Sequence, residues 1–319
     1  MNNCWESLPE QFVERTSRVV PSELREEILE SFCHKRPTTL RVNTLKSTKE
    51  EIAKQLDKLG LTYTTPTWYE LAFILQGEPY ETLGILMGSE IYKKGEIYVQ
   101  NLSSMIPPLV LNPLPGSRIL DLAAAPGSKT TQLAMIMGDT GEIIANDLSP
   151  IRIFKLKANL AGQGITHTTT NRMPGQFLWK RFPSYFDKAL VDAPCSLEGT
   201  INTEKPKSYA MWSVHKIKEL SQRQRYLLRS AISATKVGGE VVYSTCTLAP
   251  EENEGVIDWI LAKEKVELVP VSIPGLKTYP GITQWGNAKP YDPRVAQCLR
   301  IYPTNQMEGF FIAKLRKLS

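Results

Sequence analysis

Two cysteines in the later part of the chain stand where nucleophiles are usually found. Cys246 lies between two threonines in YSTCTLAPEEN, directly after the apolar run in GGEVVY. Cys195 follows Asp192 and Pro194 in DAPCS, directly after the apolar run in FDKALV. A single free cysteine is most often an inert core residue. Two cysteines that each follow a β-type run instead predict two thiols at one site, where one of them acts as a nucleophile.

A turn of small residues earlier in the chain indicates a ligand site. ILDLAAAPGSKTTQLA, which begins at Ile119, has the pattern of a strand, a tight turn and a helix. The turn lets a ligand approach the backbone closely, and the amides of Ser128 and Lys129 at the helix start suit a carboxylate. The residues of this predicted cofactor turn are Ala123, Ala124, Ala125, Pro126 and Gly127. A tight turn that binds nothing is the alternative.

An acidic residue follows the next apolar run. Asp147 lies in ANDLSP, about 20 residues after the turn, where nucleotide-binding α/β folds place a carboxylate that accepts hydrogen bonds from a ribose. The same segment also suits a helix start, so Asp147 is alternatively an N-cap. Both roles are compatible if Ser149 caps the helix while Asp147 binds the ligand.

The elements that must position these residues change along the chain. From about residue 116, four apolar runs in SRILDLA, GEIIANDLS, FDKALVDAP and GGEVVYSTC alternate with helical patterns, which predicts an α/β domain with a parallel sheet and ligands at its carboxyl edge. Earlier, SELREEILESF and STKEEIAKQLDKLG indicate amphipathic helices capped by Ser22 and Ser47, and LRVNTL and WYELAFIL indicate strands. The PLPG segment therefore separates a small α+β domain, residues 1–112, from an α/β domain, residues 113–319.

Composition narrows the class of protein. Of 319 residues, 42% are apolar and 22% charged, which is typical of a globular protein, and neither a membrane span nor a signal peptide is evident, so we expect a cytoplasmic monomer. Five scattered cysteines without a CxxC motif, and only three histidines, predict neither a disulfide framework nor a metal site.

The positive charge of the chain lies in its second part. Residues 1–112 hold 12 basic and 15 acidic side chains, so residues 113–319, with 26 basic and 18 acidic side chains, carry a net charge of +8. That charge favours an anionic polymer as partner, although a solvated basic surface is the alternative.

Taken together, the motifs resemble those of the Nop/Sun family of RNA cytosine-C5 methyltransferases, which use S-adenosylmethionine. The resemblance rests on DLAAAPGSKTTQ, ANDLSP, DAPCS and STCTLAPEENE in this order, and on RPTTLRVNTLK, GEIYVQNLSSM and RIYPTNQMEGFFIAKL, so it covers nearly the whole chain. It implies a Rossmann-like methyltransferase domain with a mostly parallel sheet, preceded by a small α+β RNA-binding domain. The amino-acid sequences of the motifs are most similar to those of bacterial members that methylate small-subunit ribosomal RNA, with transfer RNA as the alternative substrate.

The resemblance also implies a role for each site residue. Cys246 attacks C6 of the cytosine, Asp192 hydrogen-bonds the base and also lies at the cofactor, and Cys195 assists loss of the C5 proton. Lys129 orders the site or contacts the base, with a solvated helix-start lysine as the alternative. Residues 123–129 and Asp147 hold S-adenosylmethionine, and the target base must be unpaired or flipped.

The chain departs from the family pattern in one place. TNRMPGQF carries Met173 and Pro174 where the family has an acid that contacts the adenine, which leaves the backbone or Asn171 for that contact. Tyr209 and Trp212 are candidates for stacking on the target base, although core packing is the favoured role. The competing functions are a DNA cytosine methyltransferase, a non-catalytic RNA-binding assembly factor and a thiol redox protein.

Overall fold

A computed structural model describes residues 4–319 and contains two β-sheets. The helices are α1 Glu10–Val19, α2 Arg25–Ser31, α3 Lys49–Lys58, α4 Pro79–Gly88, α5 Glu90–Lys93, α6 Leu102–Leu111, α7 Ser128–Ile136, α8 Pro150–Gln163, α9 Val214–Ala234 and α10 Glu254–Lys263. The strands are β1 Thr39–Val42, β2 Tyr63–Thr64, β3 Ala72–Leu75, β4 Ile97–Val99, β5 Arg118–Asp121, β6 Glu142–Asn146, β7 Thr168–Asn171, β8 Phe186–Asp192, β9 Thr235–Thr245, β10 Val266–Leu268, β11 Tyr279–Pro280, β12 Leu299–Ile301 and β13 Phe310–Lys317. Within the described residues, no helix is long and apolar enough to cross a membrane.

The larger sheet has nine strands in the order β11-β12-β13-β9-β8-β5-β6-β7, with β10 paired to β13. Strands β7, β6, β5, β8 and β9 run parallel, and β13 pairs antiparallel with β9. The four apolar runs identified in the sequence form β5, β6, β8 and β9. The predicted α/β architecture with a mostly parallel sheet is therefore confirmed, and the carboxyl ends of these strands lie along one edge.

The smaller sheet has four antiparallel strands in the order β2-β3-β1-β4. Leu40 and Val42 of β1 are fully buried against Ile52 and Leu56 of α3 and against Phe73 of β3. The amphipathic pattern of α3 thus covers one face of this sheet, and the small α+β unit predicted from the sequence is confirmed. The division at residue 112 stays a prediction.

The predicted caps of two helices in this part were wrong. The residue that caps α3 is Thr48, whose hydroxyl accepts from the Glu51 amide at 3.2 Å while the Glu51 carboxylate accepts from the Thr48 amide at 3.0 Å. Ser47 instead donates its hydroxyl to the Glu51 side chain. Ser22 opens a 3₁₀ turn, and α2 begins only at Arg25. The reciprocal capping box satisfies two free amides at once and so selects Thr48 over its neighbour.

The first two helices pack on the part of the chain that contains the larger sheet. Phe12 of α1 and the neighbouring Phe32 share a buried cluster with Ile201, Leu248 and Tyr302, which all come from beyond residue 200. The Tyr302 hydroxyl also donates to the carbonyl of Val19, the last residue of α1. The N-terminal helices are therefore built into the larger domain, although the chain enters the small sheet directly after them.

Cys4 and Cys33 form a disulfide, with their Cα atoms 6.0 Å apart. The expectation that the scattered cysteines form no disulfide was wrong for this pair. The N-terminal turn Cys4–Ser7 folds back on the end of α2, which brings together two residues 29 positions apart in the sequence. Cys195, Cys246 and Cys298 are free thiols.

Two glycines provide a test of how tightly the site region is packed. A Cβ on Gly199 would lie 2.2 Å from the carbonyl oxygen of Gly309, and the Gly309 amide donates to the Gly199 carbonyl at 3.1 Å. We expect Gly199→Ala to lower the free energy of unfolding by about 1–3 kcal/mol, because the backbone must move to relieve the overlap.

Gly84, an exposed residue inside α4, is the matched control, because a Cβ there would project into open space around the described chain. Gly84→Ala should raise the free energy of unfolding by roughly 0.5–1 kcal/mol, since alanine restricts the unfolded chain and favours helix. Urea unfolding of both variants checks the pair. Equal effects at the two positions would contradict the packing argument.

Candidate active site

The two predicted thiols meet at the carboxyl edge of the large sheet. β8 and β9 are parallel neighbours in which Asp192 lies opposite Ser244, so both chains leave the sheet at the same level. The Sγ atoms of Cys195 and Cys246 are 3.4 Å apart, within hydrogen-bond distance for sulfur, and both residues are half-buried. The structure therefore brings the two cysteines together at one edge of the sheet, as the sequence predicted.

The loop that carries Cys246 is held from both sides by Asn253. The Thr245 hydroxyl donates to Asn253 Oδ1 at 2.6 Å, and Asn253 Nδ2 donates to the Thr247 carbonyl at 3.0 Å. The Gly199 amide donates to the Cys246 carbonyl at 2.9 Å. Asn253 occupies the N-cap of α10, yet its side chain is directed to the Cys246 loop. An amide is required there because the position uses one donor and one acceptor.

The loop that carries Cys195 is held by a buried carboxylate. The Ser196 amide donates to both oxygens of Glu252, at 3.1 and 3.3 Å, and Gln224 donates to Glu252 at 2.7 Å. The hydroxyls of Ser196 and Thr247 are 2.7 Å apart and link the two cysteine loops to each other. Burial raises the pKa of Glu252 to about 7 despite these hydrogen bonds.

Lys129 and Asp192 form an ion pair beside the thiols. Lys129 Nζ is 2.7 Å from Asp192 Oδ2 and donates to the Ser104 hydroxyl at 2.6 Å, and the Ser244 hydroxyl donates to Asp192 Oδ1 at 2.8 Å. Lys129 is only 7% exposed and lies 5.7 Å from the ring centre of Phe310. The alternative of a solvated lysine is therefore wrong, and its ammonium group is fixed next to the Asp192 carboxylate.

The surroundings of Cys246 keep its thiol protonated in this arrangement. The hydrogen bond with Cys195 raises the pKa of Cys246 well above its usual range, and burial and the negative charges of Glu308 and Asp192 add to the rise. A thiolate is the nucleophilic form of cysteine. The proton of Cys246 must therefore be removed, or its surroundings changed by a bound substrate, before the sulfur can attack.

A cleft of about 200 Å³ lies next to this site, between the ends of β5, β6 and β8. It is lined by Ala123, Asp147 and Pro194, so it adjoins both the predicted cofactor turn and the DAPCS segment. Asp147 is 4% exposed, and its carboxylate also accepts from the Ser149 amide at 3.0 Å. Ser149 caps α8 through the Arg152 amide, so the N-cap role belongs to Ser149, and the ribose contact of Asp147 stays a prediction.

The cofactor turn runs from this cleft to the start of α7. The Ala124 amide donates to the Asn146 carbonyl at 2.8 Å, which ties the turn to the end of β6, and Gly127 adopts φ 111° at the N-cap of α7. A Cβ on Gly127 would lie 2.8 Å from Leu156, so only glycine fits without strain. Ala125, Pro126 and Ser128 complete the turn.

Arg152 is a site residue that the sequence reasoning missed. Its guanidinium lies 3.4 Å from Asp147 Oδ2 and also donates to the Ala125 carbonyl, so it bridges the acidic residue and the turn. The side chain is 48% exposed and lines the cleft. Its spacing gave a usable signal, because a residue in the first turn of α8 lies close to the strand end that precedes the helix.

The TNRMPG segment has its polar groups engaged within the protein. Asn171 donates to Asn146 Oδ1 at 2.7 Å and accepts from Arg181 at 2.8 Å, and the Met173 amide donates to the same Asn146 oxygen at 3.1 Å. The Asn171 side chain is thus poorly placed for the adenine contact considered from the sequence, because both of its polar groups already have partners. The Met173 amide, the other candidate for that contact, is likewise engaged by Asn146.

The two aromatic residues after DAPCS belong to the core. The Trp212 indole donates to Glu198 at 2.9 Å and packs edge-on against Phe12, with ring centres 5.6 Å apart. Tyr209 packs against the same cluster. The favoured interpretation as core residues is therefore confirmed. Among residues 4–319, no group of His, Cys, Asp and Glu side chains is arranged to hold a metal ion.

Comparisons with known proteins agree with this geometry. Residues 108–316 match the family model described as 16S rRNA methyltransferase RsmB/F, and residues 8–80 match the ferredoxin-like domain of RsmF/B-like methyltransferases. A "tRNA (cytosine(49)-C(5))-methyltransferase" of Pyrococcus abyssi is 40% identical over 283 residues, which covers 88% of each chain. "Ribosomal RNA small subunit methyltransferase F" of Klebsiella pneumoniae is 34% identical over 316 residues, covering 97% of this chain and 63% of that protein.

A solved structure agrees with the fold as well. NSun6 from Pyrococcus horikoshii, determined with SFG, an analogue of S-adenosylmethionine, superposes with a TM-score of 0.82 at 25% identity, covering 98% of both chains. The chain thus spans less than two thirds of the length of the bacterial relative but most of the archaeal ones.

Two buried carboxyl groups at the site predict how stability depends on pH. Burial raises the pKa of Asp121, at the end of β5, to about 7, as it does for Glu252. The folded protein therefore retains protons that the unfolded chain loses near pH ~4. The free energy of unfolding should fall as the pH rises from ~4.5 to ~7, by up to about 1.4 kcal/mol per pH unit for each group.

Asp121→Asn and Glu252→Gln should each flatten this decline, whereas Glu26→Gln at an exposed position should leave it unchanged. Urea unfolding at several pH values gives the slopes. A stability that is level across this range in the unsubstituted protein would contradict the protonated state inferred for these groups.

Proposed function

The chain belongs to the RsmB/F family of RNA methyltransferases, and from this membership we propose that it transfers a methyl group from S-adenosylmethionine to C5 of a cytosine in RNA. The observation that carries the proposal is the pair of thiols 3.4 Å apart beside the Lys129–Asp192 ion pair. Cytosine C5 is a weak nucleophile, so an enzyme that methylates it needs a group to activate the ring. A thiol at a strand end, next to a second thiol and a fixed carboxylate, suits that task.

The cleft beside Asp147 has the features expected of a site for S-adenosylmethionine. The buried carboxylate of Asp147 lines this cleft together with Ala123, the first residue of the turn 123–129. We propose that Asp147 accepts hydrogen bonds from the ribose hydroxyls and that Arg152 contributes to the same end of the cleft. When bound there, S-adenosylmethionine supplies the methyl group as an electrophilic sulfonium.

We assign the nucleophile to Cys246. In this proposal the Cys246 thiol loses its proton as its sulfur adds to C6 of the cytosine, and the proton passes through Asp192 to N3 of the base. The ring electrons that shift on addition make C5 able to take the methyl group. Asn253 holds the Thr245 hydroxyl and the Thr247 carbonyl on either side of Cys246, so the sulfur keeps its position as the base approaches. We propose that Asp192, oriented by Lys129 and Ser244, then accepts hydrogen bonds from the protonated N3 and the amino group of the base and so stabilises the adduct.

We assign the resolving step to Cys195. After methyl transfer, the proton on C5 must leave and the bond between Cys246 and C6 must break, which restores the aromatic ring and the free thiol. We propose that Cys195, whose sulfur contacts that of Cys246, assists this acid–base step. The hydrogen bond between the sulfurs also favours the protonated form of Cys246, so the two thiols affect each other throughout the cycle.

Small-subunit ribosomal RNA is the proposed substrate, and transfer RNA is the second candidate. The family model's description and the Klebsiella relative favour the first, whereas the 40% identity to the Pyrococcus abyssi enzyme favours the second. The +8 balance of residues 113–319 suits either polyanion. We propose that the protein acts on this RNA in the cytoplasm.

Methyl transfer to purified RNA tests the substrate. With radiolabelled S-adenosylmethionine, we expect incorporation into small-subunit ribosomal RNA as 5-methylcytosine, at one or a few positions, and little into transfer RNA. The Cys246→Ala variant is the control for background. Incorporation into transfer RNA alone would overturn the ribosomal assignment but keep the chemistry, and transfer to DNA alone would overturn the RNA assignment. Tight RNA binding without any transfer would favour the non-catalytic assembly factor.

Trapping of the covalent protein–RNA intermediate distinguishes the roles of the two thiols. Cys246→Ala should lose both the protein–RNA adduct and methyl transfer, because the variant lacks the sulfur that we assign to the attack on C6. Cys195→Ala should still attack but release slowly, so a slowly migrating protein–RNA band should accumulate on a denaturing gel, and the double variant should show none.

Cys298→Ala is the matched control, because Cys298 is buried in the core away from both cysteine loops. Calorimetry with S-adenosylmethionine should give equal affinity for all four variants. If Cys246→Ala accumulates the adduct and Cys195→Ala does not, the two roles are reversed. A band that forms only under oxidising conditions and without RNA would instead indicate a thiol redox protein.

A further inference from the structure

An exposed tyrosine stands between two lysines on the face where the small sheet meets the larger domain. Tyr80, in the first turn of α4, is 65% exposed. The ammonium groups of Lys35 and Lys205 lie 5.9 and 5.8 Å from the centre of its ring. The three residues come from segments far apart in the sequence, so the fold assembles this cluster.

The three residues belong to segments that converge from both parts of the protein. Lys35 follows the N-terminal helices, Tyr80 follows β3 of the small sheet, and Lys205 lies in the loop that continues from Cys195. Asn202 in that loop donates to the His34 carbonyl at 2.7 Å, which fixes the loop next to Lys35. A groove of about 550 Å³ runs beside the cluster.

The cluster connects to the active site through Arg36. Its Nε donates to the Met307 carbonyl at 3.0 Å, while its Nη2 is buried with no hydrogen-bond partner among residues 4–319. The next residue, Glu308, accepts from Asn101 at 2.7 Å and lies close enough to Cys246 to raise the pKa of that thiol. Arg36 thus lies between the Tyr80 cluster and the Glu308 segment. That segment is close to the active site, because the Ser103 hydroxyl donates to the Glu308 carbonyl at 2.7 Å and the adjacent Ser104 accepts from Lys129.

We propose that this surface, defined by Tyr80, Lys35, Lys205 and Arg36, binds the single-stranded RNA that flanks the target cytosine. A base stacks on the exposed ring of Tyr80, and the two lysines contact the neighbouring phosphates. The half-buried Arg36 guanidinium adds positive charge at the end of this surface nearest Met307. The inference rests on the proposed function, because it assumes that the polymer whose cytosine reaches Cys246 is RNA.

The chemistry of the surface favours a nucleic acid over a protein partner. An aromatic ring combined with ammonium groups is the arrangement by which proteins bind single strands without reading their sequence. Lys35 is paired with Glu204 at 3.4 Å and with Glu78 at 3.8 Å, and all three side chains are at least 36% exposed. Exposed ion pairs of this kind are weak, so a phosphate can replace the carboxylates as partners of Lys35.

The stacking contact is tested by fluorescence anisotropy with a labelled single-stranded RNA that contains a central cytosine. Tyr80→Ala should weaken binding by about 5- to 150-fold, the range measured for loss of one base stack. Tyr80→Phe should bind as the unsubstituted protein does, because it keeps the ring. Tyr226→Ala, which removes a tyrosine 55% exposed on α9, is the matched control and should have no effect.

The phosphate contacts are tested by the salt dependence of the same binding. Lys35→Gln combined with Lys205→Gln should reduce the slope of log affinity against log salt by about 1.4, since each phosphate contact on a single strand contributes about 0.7. Lys263→Gln combined with Lys265→Gln makes the same change of charge at an exposed place elsewhere and should leave the slope unchanged. Photo-crosslinking of RNA that carries 4-thiouridine should label the peptide containing Tyr80.

The outcomes separate this proposal from the proposed function. If Tyr80→Ala binds and methylates RNA as the unsubstituted protein does, the surface is overturned while the activity stands, and a protein partner becomes the better explanation of the cluster. Equal losses in Tyr80→Ala and Tyr80→Phe would overturn the stacking contact. If the unsubstituted protein binds RNA through Tyr80 but transfers no methyl group, the activity is overturned and the surface stands.

Discussion

The parallel pairing of β8 with β9 is the constraint on which the site depends. Asp192 and Ser244 lie opposite each other in this pair, and the cysteines follow them by three and two residues. Side chains alternate between the faces of a sheet, so a slip of one residue would separate the thiols and turn Asp192 away from Lys129. The other neighbour of β9 is β13, whose first residue Phe310 lies beside Lys129. Strand β9 thus positions both the strand that carries Asp192 and the strand that carries Phe310.

The polar side chains of residues 251–254, which follow Cys246, all make structural contacts. Glu251 binds Arg15 of α1, Glu252 binds the Ser196 amide, Asn253 holds the Cys246 loop, and Glu254 pairs with the buried Arg300 at 2.6 Å. Buried charges are costly unless they are paired and hydrogen-bonded, and each of these side chains has its partner. Three of these four consecutive residues therefore fix the nucleophile loop to other parts of the chain, and Asn253 braces the loop itself, which accounts for the polar residues that follow the cysteine.

The sequence was sufficient for those features that follow from strand ends. Parallel strands place their carboxyl ends along one edge, so the positions of Cys195, Cys246 and Asp147 could be predicted from their apolar runs alone. Arg152 was missed although its place in the first turn of α8 gave a signal, whereas the contacts of Asn253 depend on the direction of its helix and could not be predicted from spacing. The Cys4–Cys33 disulfide was missed for the same reason, since the fold of the N-terminal turn decides which cysteines meet.

The small sheet takes part in the geometry of the active site through a buried arginine. Arg41 of β1 is fully buried, donates to Gln100 at 2.8 Å and to Thr131 of α7 at 2.6 Å, and lies 5.1 Å from the ring centre of Tyr98. Burial lowers the pKa of Arg41 to about 10, so the guanidinium remains charged at neutral pH and must keep its polar partners. Thr131 is two residues from Lys129 on the same short helix. Because the cation cannot leave this contact without exposing an unpaired charge, the small sheet and the helix that presents Lys129 are held as one unit. An element that would otherwise only flank the methyltransferase sheet therefore helps to set the position of the ammonium group that orients Asp192.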